Sequence, residues 1–175
     1  CVGPIAYRGH AAVLEDIRRL RSAIGERPHE DIFICAVAPS YIAATVPKEY
    51  YRSHEEYEQA LADALREEYR AIIEAGAVLQ IDDPRLITQY TFAPDLSIEE
   101  FPRWAEQRVE AINYSIRGLP SEMIRFHTCY SIDVGPRIHE MDLKDIIDIM
   151  LKTNAGAYSF EAANPRHEHE YHVFE

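Results

Sequence analysis

The sequence predicts an α/β fold in which a parallel sheet is covered by helices, and three observations lead there. Short apolar runs alternate with longer segments of helical periodicity. The helical segments open on capping signals or close on glycine. The chain has 175 residues and 47% hydrophobic content, enough for one domain with a sizeable core, so residues 1–175 read as part of a single domain.

The elements follow in order. CVGPIAY (1–7) reads as a first strand. AAVLEDIRRLRSAI (11–24) reads as a helix stopped at Gly25, because helices commonly end on the left-handed conformation that glycine adopts freely. DIFICAVAPS (31–40) is a second strand. SHEEYEQALADALREEYRAIIEAG (53–76) opens on a capping box, Ser53 with Glu56, carries Tyr57, Leu61, Leu65, Tyr69 and Ile72 at helical spacing, and ends at Gly76. AVLQIDDP (77–84) is a third strand. SIEEFPRWAEQRVEAINYSI (97–116) repeats the box with Ser97 and Glu100 and takes Pro102 into its first turn. MIRFHTCYS (123–131) is a fourth strand, EMDLKDIIDIMLKTNAG (140–156) an amphipathic helix stopping at Asn154 and Gly156, and AGAYSFEAAN (155–164) a fifth strand. All runs but MIRFHTCYS are mostly continuous in apolar residues, which fits strands buried on both faces. Five strands and four crossovers describe either an open doubly wound sheet or five-eighths of a barrel. Periodicity does not choose between them, and no glycine-rich dinucleotide fingerprint follows any strand.

Composition excludes several partners. A formal net charge of −12 argues against a nucleic-acid backbone, which binds through released counterions. There is no run of eighteen apolar residues to span a membrane, and CVGPIAYRGH lacks the features of a signal peptide. The chain does not open on methionine and reads as a piece of something longer. Cys1, Cys35 and Cys129 are too scattered for a disulfide framework, so a reducing, cytoplasmic setting is expected, with thiols available for metal. Cys35, mid-strand, is expected in the core.

In parallel α/β folds the reactive face lies at the carboxyl ends of the strands. Three strands here end in groups suited to chemistry: Asp82 and Asp83, His127 and Cys129, and Glu161. On a strand, residues two apart point to the same side, so His127 and Cys129 can grip one ion, with Glu161 on the next strand as a third donor. The same spacing also suits an ordinary buried histidine and cysteine. Asp82 and Asp83 either bind a substrate ammonium or, standing before Pro84, turn the chain and cap the next segment. The tail HEHEYH (His167, His169, His172) reads as a solvated start to a further helix, since its histidines would not share a helix face.

Taken in order, LQIDDP, WAEQRVEAIN, HTCYS and YSFE resemble the catalytic domain of cobalamin-independent methionine synthase, over residues 2 to about 166. VGPIAY and VAPSYI are similar to that family's second and third barrel strands. The resemblance implies a (β/α)8 TIM barrel, present as a partial barrel of about strands two to six. It implies zinc held by His127, Cys129 and Glu161, with Glu161 the carboxylate that an incoming thiol displaces. It implies that Asp82, with Asp83 beside it, holds the amino group of homocysteine while a methyl group arrives from a methylated folate. Departures accompany it. The family's second cysteine ligand lies on an eighth strand outside this chain, and other homocysteine and pterin contacts fall before Cys1 or after Glu175. Asp83 replaces a glutamate, the Cys129–Glu161 spacing is longer, and the arginine that follows the glutamate is displaced to Arg166. Basic groups for an anionic donor are expected at Arg85 or Arg137 or outside the chain. The alternatives are a zinc-thiolate alkyltransferase with another donor or thiol, such as methylcobalamin or an epoxide and coenzyme M, and an inactive barrel fragment that self-associates through its open edges.

Overall fold

The computed structural model describes residues 1–26, 28, 32–93, 95–130, 139–161 and 165–174. Four strands, β1 (Phe33–Val37), β2 (Val78–Asp82), β3 (Ile124–Thr128) and β4 (Ala157–Phe160), form one sheet in the order β1-β2-β3-β4, every pair parallel. Each strand lies beside its predecessor, with no reversal of order. A doubly wound sheet reverses and a barrel does not, so this winding is that of a barrel.

One face of the sheet carries Ile34, Ala36, Leu79, Ile81, Ile124, Phe126 and Thr128, and the last six are buried beneath helices. The other face carries Cys35, Gln80, Asp82, Arg125, His127 and Ser159. Alternation therefore replaces the two-sided burial expected from the apolar runs. Phe33, at 43% exposure, stands on the second face, which no described element covers.

The covering helices follow the sequence signals. α1 (His10–Ile24) ends at Gly25 with φ +70°, and α3 (His54–Glu74) is followed by Gly76 with φ +80°. Ser53 Oγ accepts from the Glu56 amide at 3.0 Å, and the Glu56 carboxylate accepts from the Arg52 amide, one residue before the expected partner. Tyr57, Leu61, Leu65, Tyr69 and Ile72 are all buried. The Tyr69 hydroxyl donates to the Val37 carbonyl at 2.6 Å and so ties α3 to the end of β1. Ser97 and Glu100 close the reciprocal box just ahead of α5 (Phe101–Ser115), with Pro102 in the first turn.

Three expectations are corrected. Residues 1–7 form no strand: the Cys1 carbonyl accepts from the Glu49 and Tyr50 amides, the Ile5 amide donates to the Tyr51 hydroxyl, and Pro4 has no amide to offer a ladder. The helix expected over 140–156 reduces to a 3₁₀ turn (Leu143–Asp145) and one turn of α6 (Ile147–Met150). There Asn113 pulls the chain out of the helix, accepting from the Asn154 amide and donating to the Lys152 carbonyl. Two short helices were not foreseen, α2 (Pro39–Thr45) after β1 and α4 (Arg85–Phe92) after β2. Pro39 and Pro84 at their starts are the signal.

Gly156 leads into β4 where the backbone passes close to another turn, its amide donating to the Ser121 and Ile124 carbonyls. A Cβ there would lie 2.7 Å from the Ser121 oxygen and 2.9 Å from Glu122 Cα. Gly156→Ala is therefore expected to destabilise the fold by about 1–3 kcal/mol. Urea unfolding reads this, and an unchanged midpoint would contradict the packing.

Candidate active site at the strand ends

The polar face of the sheet is built as a chain of contacts. Arg125 Nε donates to Gln80 Oε1 at 2.6 Å, with its guanidinium 4.0 Å from the Phe33 ring centroid. Gln80 Nε2 donates to Asp82 Oδ1 at 2.8 Å and approaches Cys35 Sγ at 3.4 Å. Cys35 is exposed on this face rather than in the core, because the β1 register aligns it with Gln80. Burial, the Asp82 charge and a hydrogen bond to Asp82 push its thiol pKa up. Asp82 is level with His127 on the neighbouring strand, and both sit on this face.

Asp83 turns the other way. It is fully buried, its amide donates to the His127 carbonyl at 2.8 Å, and its own carbonyl accepts from the Thr128 hydroxyl at 2.8 Å. Its carboxylate accepts from the Ser40 hydroxyl and from the Leu86 amide, the latter at 3.2 Å. Asp83 thus caps α4 and braces α2, the structural alternative open for one member of the pair. Asp82 alone is left on the polar face.

His127 stands one strand from Ser159, with Nδ1 3.1 Å from the Ser159 carbonyl oxygen. An imidazole held in this way donates from Nδ1 and turns Nε2 outward. Cys129, half-buried just past β3, opens on a cavity of about 330 Å³ lined by Tyr41, Thr45, Arg85, Thr88 and Phe92. Glu161 follows β4, and its Oε2 accepts from the Tyr130 amide at 3.2 Å. The β3–β4 register ends with Thr128 opposite Phe160, and Cys129 and Glu161 are the next residues after these two. The three expected ligands therefore lie at neighbouring strand ends. Their side chains do not close on one point, and among the described residues no three His, Cys, Asp or Glu side chains are placed to hold a metal. Arg85 borders the Cys129 cavity; Arg137 lies outside the described residues.

The tail is only in part the solvated segment that its charges suggest. His167 is buried at 6% exposure and its ring stacks on Tyr130, with centroids 3.5 Å apart and planes 6° from parallel. Its Nδ1 lies 2.6 Å from Glu170 and its Nε2 3.2 Å from Glu140, which also pairs with Arg166. Glu170 accepts from the Tyr130 hydroxyl and, at 2.7 Å, from the Leu143 amide. Burial and the Glu170 charge push the Tyr130 hydroxyl pKa far up, so it stays a donor. Residues Glu168–Phe174 form a 3₁₀ segment, while His169 and His172 are exposed as expected. The alternating charges gave the solvated reading; nothing local marks that Tyr130 supplies a flat surface for His167.

Consecutive parallel βα units, wound without reversal and with polar groups at the carboxyl ends of the strands, define a piece of a β/α barrel. No family model matches the chain. It is 31% identical over 126 residues to the methionine synthase of Saccharolobus solfataricus, covering 70% of this chain and 34% of that relative. To a methionine synthase of Saccharolobus islandicus it is 30% identical over 120 residues, covering 67% and 32%. A B12-independent methionine synthase from Shewanella shares the fold, with TM-score 0.53 and 24% identity over 74% of this chain and 33% of that one. The chain belongs to the methionine synthase family and forms part of its (β/α)8 barrel. It spans about a third of the length of the curated relatives it matches.

Burial raises the Asp83 pKa from 3.8 to about 6, against the opposing hydrogen bonds from Ser40 and the helix amides. The folded value lies above the unfolded one. The associated stability is therefore complete below pH 3.8 and is lost as pH rises through about 6. Wild type is expected to lose about 2–3 kcal/mol relative to Asp83→Asn between acid and neutral pH. Urea unfolding across that range tests this, and parallel profiles would remove Asp83 as the titrating group.

Proposed function

We propose that this segment supplies the zinc- and thiol-binding part of a methyltransferase of methionine biosynthesis, which moves a methyl group from a methylated folate or related donor to the thiol of homocysteine. One observation supports the reading above the others: in the parallel register His127 is level with Asp82, and Thr128 and Phe160, the residues just before Cys129 and Glu161, are paired. The curated relatives named methionine synthase support it.

The donors suit zinc in kind, being nitrogen, sulfur and carboxylate. The hydrogen bond from His127 Nδ1 to the Ser159 carbonyl is the outer-shell contact that orients a ligating imidazole. His127, Cys129 and Glu161 would hold the ion, with a further ligand from outside these residues. When bound, zinc keeps an incoming thiol in its thiolate form near neutral pH.

The chain's own groups do the rest. Asp82, with one oxygen fixed by Gln80, presents the other to the substrate ammonium and orients the sulfur. Asp83 supports it indirectly by holding the turn that ends β2. Glu161 would be the zinc ligand that an incoming thiol replaces, and the Tyr130 amide, 3.2 Å from Oε2, is a donor that can hold its carboxylate. The donor's methyl carbon approaches through the cavity that Cys129 borders. The sulfur–carbon bond forms as the carbon–nitrogen bond of the donor breaks, and the electron pair leaves on that nitrogen, which takes up a proton.

The protein that contains this segment is expected to carry one zinc ion, most of it lost in Cys129→Ser. Elemental analysis after gel filtration decides, and equal zinc in the variant would defeat the assignment. Asp82→Asn is expected to raise KM for homocysteine at least about tenfold, the scale of a lost charge-assisted hydrogen bond. Steady-state kinetics at saturating donor measure that change, and an unaltered KM would remove Asp82 from substrate binding.

A further inference from the structure

A second cavity, of about 300 Å³, lies among α2, α3, α4 and α5 and is bordered by none of His127, Cys129, Glu161 or Asp82. Its walls include Glu58, Arg85, Arg108, Phe92 and Trp104, with His54 at the rim. Glu58 and Arg108 are each only 7% exposed, and Arg108 Nε lies 3.2 Å from Glu58 Oε1. The guanidinium of Arg108 is 4.9 Å from the Trp104 ring centroid, and one of its nitrogens donates to Gln107.

Two groups in this cavity are left with unmet needs. Glu58 Oε1 is buried and accepts no hydrogen bond: the nearby Arg108 N–H is not aimed at it, and His54 Nε2 is 3.9 Å away. A buried carboxylate oxygen without a donor is costly, and burial accordingly pushes the Glu58 pKa up despite Arg108. Arg85 rests over the Phe92 ring at 4.6 Å and makes no ion pair with any described residue. Glu58 pairs with Arg108 and the buried Asp83 carboxylate is taken by Ser40, so Arg85 is the cation open to an anionic group. One solute meets both needs if it places an anion at Arg85 and a hydrogen-bond donor at Glu58, with apolar atoms against Phe92 and Trp104. The volume, at the low end of ligand pockets, suits a metabolite rather than a larger molecule.

We propose that this cavity binds a small carboxylate bearing a hydrogen-bond donor beside it, an α-amino or α-hydroxy acid. The site adjoins the cavity that Cys129 borders, sharing Arg85 and Phe92 with it, but does not depend on zinc. The test is a thermal-shift screen of the chain with the standard L-amino acids, the corresponding L-2-hydroxy acids, and carboxylic acids lacking the group at carbon 2, followed by calorimetry. At least one amino or hydroxy acid is expected to raise Tm, its unsubstituted acid is not, and the arm that responds identifies the donor as ammonium or hydroxyl. Glu58→Gln and Arg85→Ala should each weaken binding about tenfold or more, while Cys129→Ser leaves it intact. Glu58→Gln strips the counter-charge from buried Arg108; if that variant does not fold, the half-exposed Arg85 carries the test. No Tm rise with any amino or hydroxy acid, equal response to the unsubstituted acids, or undiminished binding in Arg85→Ala would each overturn the proposal and leave a water-filled cleft.

Discussion

Parallel register across β2, β3 and β4 is the constraint on which the rest depends. Strand side chains alternate, so a slip of one residue in β3 would send His127 into the helix layer and Phe126 onto the polar face. Phe126, Leu79 and Ile81 are fully buried, and each side chain of that size contributes about 1.5–3 kcal/mol by leaving water. That weight of apolar burial on one face fixes which residues appear on the other. His127, Asp82 and Ser159 thus sit in line because the core behind them does not tolerate another alignment.

The neighbours Asp82 and Asp83 divide the labour at the end of β2. One faces the open side and is steadied by Gln80; the other is buried and joins the first turn of α4 to Ser40 of α2. A buried carboxylate is a poor stabiliser, yet here it gathers donors from two helix starts. The loops after β1 and β2, which border the Cys129 cavity, are thereby referred to one point.

Much of this was legible in the sequence. The helical spacing of Tyr57 to Ile72, the boxes at Ser53 and Ser97, and the stops at Gly25 and Gly76 carry local physics that survives into the fold. The strand ends at Asp82, His127–Cys129 and Glu161 were also readable, because each polar group closes an apolar run. What escaped depends on contacts between distant residues. Cys35 looks like core in an apolar run, but register turns it to the uncovered face. His167 looks solvated among charges, but Tyr130, far away in sequence, gives it a partner. Residues 1–7 have strand composition, yet their backbone groups are taken by the loop at 49–51. The brevity of α2 and α4 hid them from any periodicity.

The consecutive order of the strands also bears on how the chain acquires its shape. Every strand finds its sheet partner in the unit made just before it, so no pairing waits for a distant segment. Each closure still spans a whole βα unit, since Phe33 pairs with Val78 and Leu79 with Ile124, so every parallel pairing forms only after the helix between its strands has brought them together. Emerging from a ribosome, each βα unit can dock on its predecessor as soon as its helix clears the exit, and the sheet grows in the direction of synthesis.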